Sequence, residues 1–426
     1  MKSALKITAA LLTASVFMAG CTSDKYPAPQ AVKHASPITD REVLDFSAVD
    51  SSGYREAAFN GYMRFAIDMY AMEASGTDEN LMISPASIFL ALGMTSAGAA
   101  GDTLTQMTDV LTPGATPEEL QAFGGYYNRT LNEGSEVVLH SANSIWFNET
   151  KTDSVYQDYL DFVTETYGAQ IGMVTMDRDG EEIINSWVKD QTNGMIDGIL
   201  PPGSLTNRDM AVLVNAVAFE ASWAAGTLDC NRHLTFHNAD GSESDIDMLR
   251  TDARYYLSNE DAYGCLINYA GNQYAFMAIM PVDPSVDANT FASDLTVEEY
   301  QDLWLNREYR DTDAVIVNLP EFSCDYDTEL RPQLQAMGMT APFDEYYADF
   351  ANMTEEQLSI TGVIHVTHIE VDHQGTRASA ATAVQATTAA AAPDNPMILT
   401  FDRPFVYAIV DTQTGLPLFI GTVNYL

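Results

Sequence analysis

Glu370-Val371-Asp372-His373-Gln374-Gly375-Thr376-Arg377 leads into Ala378-Ser379-Ala380-Ala381-Thr382-Ala383-Val384-Gln385-Ala386-Thr387-Thr388-Ala389-Ala390-Ala391-Ala392-Pro393, where small residues follow one another almost without a break. Low complexity of this kind marks an exposed loop. Ala, Thr and Val also pack on a pleated sheet, so the same residues can serve as loop or as strand. Side chains on a strand alternate between two faces. Thr376, Ala378, Ala380, Thr382, Val384 and Ala386 share one face, small throughout and uncharged. Arg377, Ser379, Ala381, Ala383, Gln385 and Thr387 share the other, which holds the only charge and the only amide. The first face suits burial under covering helices, because an unpaired buried charge costs on the order of several kcal/mol. Gly375 supplies a backbone hinge before the run. A loop able to become a strand is a mechanical device.

Both flanks of the run carry further pattern. Phe401-Asp402-Arg403-Pro404-Phe405 and Gly415-Leu416-Pro417-Leu418-Phe419-Ile420-Gly421 follow it. Upstream stand Asn80-Leu81-Met82-Ile83-Ser84-Pro85-Ala86-Ser87-Ile88, Gly98-Ala99-Ala100-Gly101-Asp102-Thr103, Leu213-Val214-Asn215-Ala216-Val217-Ala218-Phe219 with Trp223, Leu319-Pro320-Glu321-Phe322 and Gln335-Ala336-Met337-Gly338-Met339. Each is weak alone. In this order and spacing, from about Tyr54 onward, they resemble the serpins, the serine protease inhibitor family. The hinge of that family commonly reads Glu-Val-Asn-Glu-Glu-Gly-Thr-Glu, then four small residues and Thr, and Glu370 through Thr382 aligns with it without a gap. Two departures stand out: His373 and Arg377 replace residues that are commonly Glu.

The resemblance implies an α+β fold, with one large mixed β-sheet, further sheets, eight or nine helices and an exposed reactive-centre loop at about 375–400. It implies no catalysis by the chain. It implies suicide inhibition instead: a target serine protease, or a papain-like cysteine protease, cuts the loop and is held in a covalent complex while the cut loop inserts as a strand. Glu370, Gly375, Thr376, Ala378, Ala380 and Thr382 match the hinge. Ser84, Ser87, Asn215 and His365 match the polar "shutter" beneath the entry path, and Trp223 matches the aromatic at the "breach" where insertion starts. The family's spacing from Gly375 puts the cut between Ala389 and Ala390. Counting back from Pro404 puts it near Pro393. Thr387-Thr388-Ala389-Ala390 suits a small specificity pocket, as in elastase-like or subtilisin-like proteases, and no Lys or Arg lies between Thr382 and Met397 to attract a trypsin-like enzyme. The alternative is a non-inhibitory serpin acting as a binding or carrier protein, which bulky or charged hinge residues would favour.

Composition narrows the classes. A chain of 426 residues, 46% hydrophobic, can bury a large core, and no Gly/Ser- or Pro-rich linker divides residues 54–426. The net charge of −40 argues against nucleic acid and anionic membrane surfaces as partners. A monomer is expected. Gly-x-Ser-x-Gly, His-Glu-x-x-His, Gly-x-Gly-x-x-Gly and phosphate-loop patterns are absent, which removes a hydrolase with an Ala-rich linker. No metal or cofactor is expected. His365 and His368 fall on opposite faces of a strand-like run. His233 and His237 flank the strand-like Thr235-Phe236. Asp177-Arg178-Asp179-Gly180 reads as a turn rather than a calcium loop. Thr116-Pro117-Glu118-Glu119, Thr296-Val297-Glu298-Glu299 and Thr354-Glu355-Glu356-Gln357 read as helix capping boxes.

The N-terminus reads as an address. Lys2 and Lys6 precede the apolar stretch 7–19, which has the length of a signal-peptide core. Met18-Ala19-Gly20-Cys21 resembles a bacterial lipobox, which implies lipidation of Cys21, export and attachment at the outer membrane or cell surface. Residues 1–20 are then a signal peptide, 21–50 a flexible tether with Pro27, Pro29 and Pro37, and 51–426 the folded domain. Cys230, Cys265 and Cys324 remain, an odd number that leaves at least one free thiol.

Overall fold

The reversal at Asp372–Gln374 organises the sheet around it. A computed structural model describes residues 28–32, 54–132, 137–152, 154–310, 314–376 and 397–426. The long strand Ile360–Val371 runs up to the reversal, and the two-residue strand Gly375–Thr376 comes back down from it. In the long strand His365, Thr367, Ile369 and Val371 are buried, while Ile364, Val366 and His368 are half-buried and Glu370 is exposed. The period of two in burial is what a pleated strand requires.

Six strands form the large sheet, in the order Phe322–Glu329, Ile360–Val371, Gly375–Thr376, Ala211–Ser222, Val137–Asn148, Gln170–Val174. Below the two-residue strand, Ile360–Val371 pairs directly and in parallel with Ala211–Ser222, with His365 opposite Asn215 and His368 opposite Ala218. A seven-stranded, a four-stranded and a two-stranded sheet accompany it, and nine α-helices are present among the described residues. The expected α+β class, with a large mixed sheet and eight or nine helices, is met.

Two layers cover the large sheet. On one side lies the main core, to which the helices Tyr54–Ala74 and Pro85–Ala97 and the seven-stranded sheet contribute. Ala58, Tyr62, Phe65 and Met69 recur at helical spacing in the first helix and are fully buried. All of Pro85–Ala97 is buried. On the other side the helix Arg178–Gln191 packs Ile184, Trp187 and Val188 over Val212, Val214 and Ala216, with Trp187 edge-on to Trp146. The lower half of the sheet is therefore a middle layer, covered on both faces.

Local signals fare unevenly. The boxes at Thr116 and Thr296 start helices Pro117–Asn132 and Val297–Leu305, each with reciprocal Thr–Glu hydrogen bonds. The box at Thr354 starts none. Its hydroxyl donates to the Ser154 carbonyl at 2.8 Å, and the chain goes on into the strand Ile360–Val371. Asp177 begins a helix rather than a turn: its carboxylate caps Arg178–Gln191 through the backbone N–H groups of Asp179 and Gly180. His233 and His237 both lie on the strand Asp229–His237, beside Asp247 and Glu243 of the neighbouring strand. Within the stretch read as a tether, Gln30–Val32 pairs in parallel with Ser154–Tyr156, so that part is held against the body. The stretch read as a signal peptide, Cys21, and residues 22–27 and 33–50 of the stretch read as a tether lie outside the described residues. No described helix is long and apolar enough to cross a membrane.

Candidate functional site

Gly375–Thr376 enters the sheet as a wedge. Thr376 pairs with Val371 on one side and Ala221 on the other, and Gly375 pairs with Ser222. A Cβ on Gly375 would stand 2.0 Å from the Ala221 carbonyl oxygen. The position needs glycine because two backbones approach closely; its φ is not among the positive ones. Asp372 caps the reversal by accepting from the N–H groups of Gln374 and Gly375, at 2.7 and 3.0 Å. Thr376 is fully buried, and its hydroxyl meets Tyr269 Oη at 2.5 Å.

Trp223 closes the space beside the wedge. Its indole N–H donates to the Asp372 carbonyl at 2.8 Å and its backbone N–H to the Gln374 carbonyl at 3.1 Å. Its ring stacks on Tyr269 at 4.8 Å, inclined by 7°, with the edge of Phe276 at 6.0 Å. The residue read as the aromatic of the breach thus touches the reversal itself. Tyr269, which sequence reasoning missed, links the indole to Thr376.

The polar residues lower in the sheet converge. Ser84 caps Pro85–Ala97, accepting from the Ser87 N–H at 3.3 Å, while its own hydroxyl donates to the Leu418 carbonyl at 2.8 Å. The Ser84 backbone N–H donates to His365 Nε2 at 3.0 Å. That nitrogen must therefore carry a lone pair, so the proton sits on Nδ1 and is donated to Asn215 Oδ1 at 2.5 Å. The Asn215 amide donates to Ser87 Oγ and, at 2.6 Å, to Asn143 Oδ1. Ser84, Ser87, Asn215 and His365 are all buried, and burial alone pushes the His365 pKa down to about 3. The imidazole is neutral.

Asn143 completes this network and was missed. It faces Asn215 directly across the antiparallel pair and accepts from the Ser87 hydroxyl at 3.4 Å. Asn143 lies between Ala142 and Ser144 in Val137–Asn148, a strand that also holds His140, Ser141 and Asn148, so no local pattern singled it out. His368 points to the other face and meets Asp325 at 2.6 Å. Glu370 is exposed at the top of its strand. Residues 377–396, which include the hinge positions Ala378, Ala380 and Thr382 and the expected cut at Ala389–Ala390 or near Pro393, lie outside the described residues. Cys230, Cys265 and Cys324 are free thiols; burial raises the pKa of Cys265, and pushes that of Cys324 up to about 12.

Comparison with known proteins bears on the same architecture. A family model described as "Serpin (serine protease inhibitor)" matches residues 60–426. An uncharacterised serpin-like protein of Thermococcus kodakarensis is 31% identical over 95% of each chain. The human leukocyte elastase inhibitor is 28% identical over 84% of this chain and 96% of its own. Among solved structures, the native state of tengpin, a thermophilic serpin, superposes with a TM-score of 0.79 at 32% identity, covering 95% of this chain and 99% of the other.

Proposed function

This chain belongs to the serpin family, and from that premise we propose that it is a suicide inhibitor of serine proteases with small-residue specificity, elastase-like or subtilisin-like. The observation that carries the reading is the wedge: two residues beyond the reversal already lie between the strands that would have to part.

The existing register extends without a break. Thr376 faces Val371 and Ala221. Continued antiparallel to both neighbours, Ala378 would face Ile369 and Phe219, and Ala380 would face Thr367 and Val217. Thr382 would fall between His365 and Asn215, which are now opposite one another. Insertion therefore exchanges the His365–Asn215 hydrogen bond for contacts with a short hydroxyl. Arg377 would fall between Glu370 and Glu220, near the exposed top of the sheet, where its charge finds opposite partners. Ala381 and Ala383 would lie over Ala216 and Val214, in the layer covered by Arg178–Gln191. Small residues on both faces suit a strand that must slide between two packed layers, since closely packed interiors yield little space.

The chemistry is the protease's own. Its serine Oγ attacks the carbonyl carbon of Ala389, the bond to the Ala390 nitrogen breaks, and the new amine leaves with a proton. An acyl ester to Ala389 remains. Insertion of the freed strand, complete before water attacks the ester, carries the protease away from its docked position. The inserted strand adds backbone hydrogen bonds worth about 0.5–1.5 kcal/mol each.

Mixing the protein with an elastase-like or subtilisin-like protease and separating the products on a denaturing gel tests this. A band at the summed mass is expected, and the clipped inhibitor should melt well above the intact one. Cleavage alone, with no covalent band, would make the protein a substrate and end the reading. Export and lipid attachment at Cys21 complete the proposal; they rest on Met18-Ala19-Gly20-Cys21.

A further inference from the structure

Three segments from different parts of the fold cross just above the wedge. Cys230 is the second residue of Asp229–His237, in the four-stranded sheet. Glu321 joins Val315–Pro320 of that sheet to Phe322–Glu329 of the large one. His373 sits in the reversal after Ile360–Val371. The Cys230 sulfur, a Glu321 carboxylate oxygen and a ring nitrogen of His373 all lie within 4.8 Å of one another. The three residues are half-buried, so the cluster has a way in from solvent. They are far apart in sequence, and no spacing motif announces them.

The main chain holds two of these groups in place. Glu321 Oε1 accepts from the His373 backbone N–H at 2.9 Å and lies 3.1 Å from His373 Nδ1. The Leu228 N–H donates to the His373 carbonyl at 2.7 Å, which ties the reversal to the segment leading into Cys230. Zinc bonds nitrogen and oxygen at about 2.0–2.2 Å and sulfur at about 2.3 Å, so tetrahedral ligand atoms stand roughly 3.3–3.6 Å apart. The nitrogen–oxygen pair is close to that spacing, and rotation of the half-buried thiol closes the rest. A thiolate, an imidazole and a carboxylate suit zinc, whereas calcium and magnesium prefer oxygen ligands alone.

We propose that Cys230, Glu321 and His373 form a site for a divalent transition-metal cation of the zinc class, with water as fourth ligand. On binding, the thiol loses its proton to solvent, the neutral His373 ring exchanges its Nδ1 proton for one on Nε2, and the Nδ1–Glu321 hydrogen bond gives way to two metal bonds. The site straddles the entry to the sheet. Cys230 comes after the strand Ala211–Ser222, on one side of the wedge, whereas Glu321 directly precedes Phe322–Glu329 and His373 follows Ile360–Val371, the two strands on the other. A cation bonded to all three is a removable staple across the gap. Its consequence rests on the inhibitory reading: with metal bound, the sheet opens more slowly and the cut loop inserts later.

Cobalt(II) titrated into the reduced, chelator-stripped full chain tests the site. One cobalt per chain is expected, with a thiolate-to-cobalt charge-transfer band and the intense ligand-field bands of four-coordinate cobalt, all reversed by zinc. Cys230→Ser should abolish the charge-transfer band. His373→Ala should weaken binding by about tenfold or more, since loss of even an outer partner costs about 10–100-fold. Binding that is unchanged in both variants, or no binding at all, overturns the site. Zinc should also raise the number of inhibitor molecules consumed per protease trapped, and should not do so in Cys230→Ser. Zinc binding without that rise overturns the staple alone. Zinc binding in a protein that traps no protease overturns the inhibitory reading and leaves the site standing.

Discussion

Thr382→Arg tests the insertion register at its most demanding point. The extended pairing places residue 382 between His365 and Asn215, which are 0% and 1% exposed. No carboxylate belongs to that network; its members are two serines, two asparagines and a neutral imidazole. A guanidinium brought there has no countercharge, and burying it costs several kcal/mol. Suppose only about 3 kcal/mol is felt, and half of it in the transition state for insertion. Insertion then slows by about tenfold. Hydrolysis of the acyl ester is untouched, so the balance moves from trapping to turnover by the same factor. Ser379→Arg is the matched control: it adds the same charge opposite His368, beside the exposed Asp325 carboxylate, and should behave like the parent. Both variants and the parent are titrated against a fixed amount of elastase-like protease, with residual activity and the covalent band read at each ratio. The expected result is a rise of about tenfold in the ratio of clipped to trapped Thr382→Arg protein, read from the gel at each titration ratio. A Thr382→Arg protein that titrates like the parent would refute the register, whatever its stability.

Three further outcomes are expected. Gly375→Ala puts a Cβ into the Ala221 carbonyl, so the two-residue strand should leave the sheet; trypsin should cut after Arg377 faster than in the parent, and an equal rate would mean that the close approach is not real. His365 takes up a proton near pH 6.5 in the unfolded chain but, when buried, only near pH 3. The unfolded state thus binds more protons below pH 6.5, and stability is lost from there towards pH 3 by about 1.4 kcal/mol per pH unit. Between pH 7 and pH 5 the parent should lose about 2 kcal/mol more than His365→Gln in denaturant titrations, and equal losses would contradict a neutral, buried imidazole. Cys21→Ser should move the protein from the membrane fraction to the soluble one; unchanged fractionation would remove the lipid anchor.

What was legible in the sequence was local, and what was not was tertiary. Ser84-Pro85-Ala86-Ser87 could be read because capping is settled within a few residues, and Ser84 does cap a helix there. The box at Thr354 has the same signature and fails, because the residues after Gln357 pair into a sheet and the hydroxyl finds Ser154 instead. Gly375 was singled out for freedom of its backbone, yet the need for glycine comes from Ala221, distant in sequence. Asn143, Tyr269 and the Cys230–Glu321–His373 cluster depend on which strands become neighbours, and no short-range pattern reports that. The resemblance supplied the four-residue polar cluster by position; the structure adds the tautomer, the fifth residue and the direction of each hydrogen bond.

On the inhibitory reading proposed above, the strand order accounts for energy stored in the intact fold. Ile360–Val371 and Ala211–Ser222 are parallel neighbours, an arrangement slightly less stable per residue than an antiparallel pair. At the top of the same two strands Thr376 already makes antiparallel pairs with both. One sheet therefore displays both arrangements at once, the second confined to two residues. Each residue added below Thr376 replaces a parallel contact by two antiparallel ones, so the gain accumulates along the strand. It is opposed by the parallel pairs from His368–Ala218 downward, and then by the His365–Asn215 bond and the side chains packed around it, which must part before Thr382 can enter. On that reading, a barrier set by a small polar network, part-way down a ladder that improves with every step, would keep a favourable change waiting for a cut. Removing the network without touching the ladder, as in Asn215→Ala, should speed spontaneous insertion of the uncut loop, seen as loss of protease trapping on warm incubation. A slower loss than in the parent would place the barrier elsewhere.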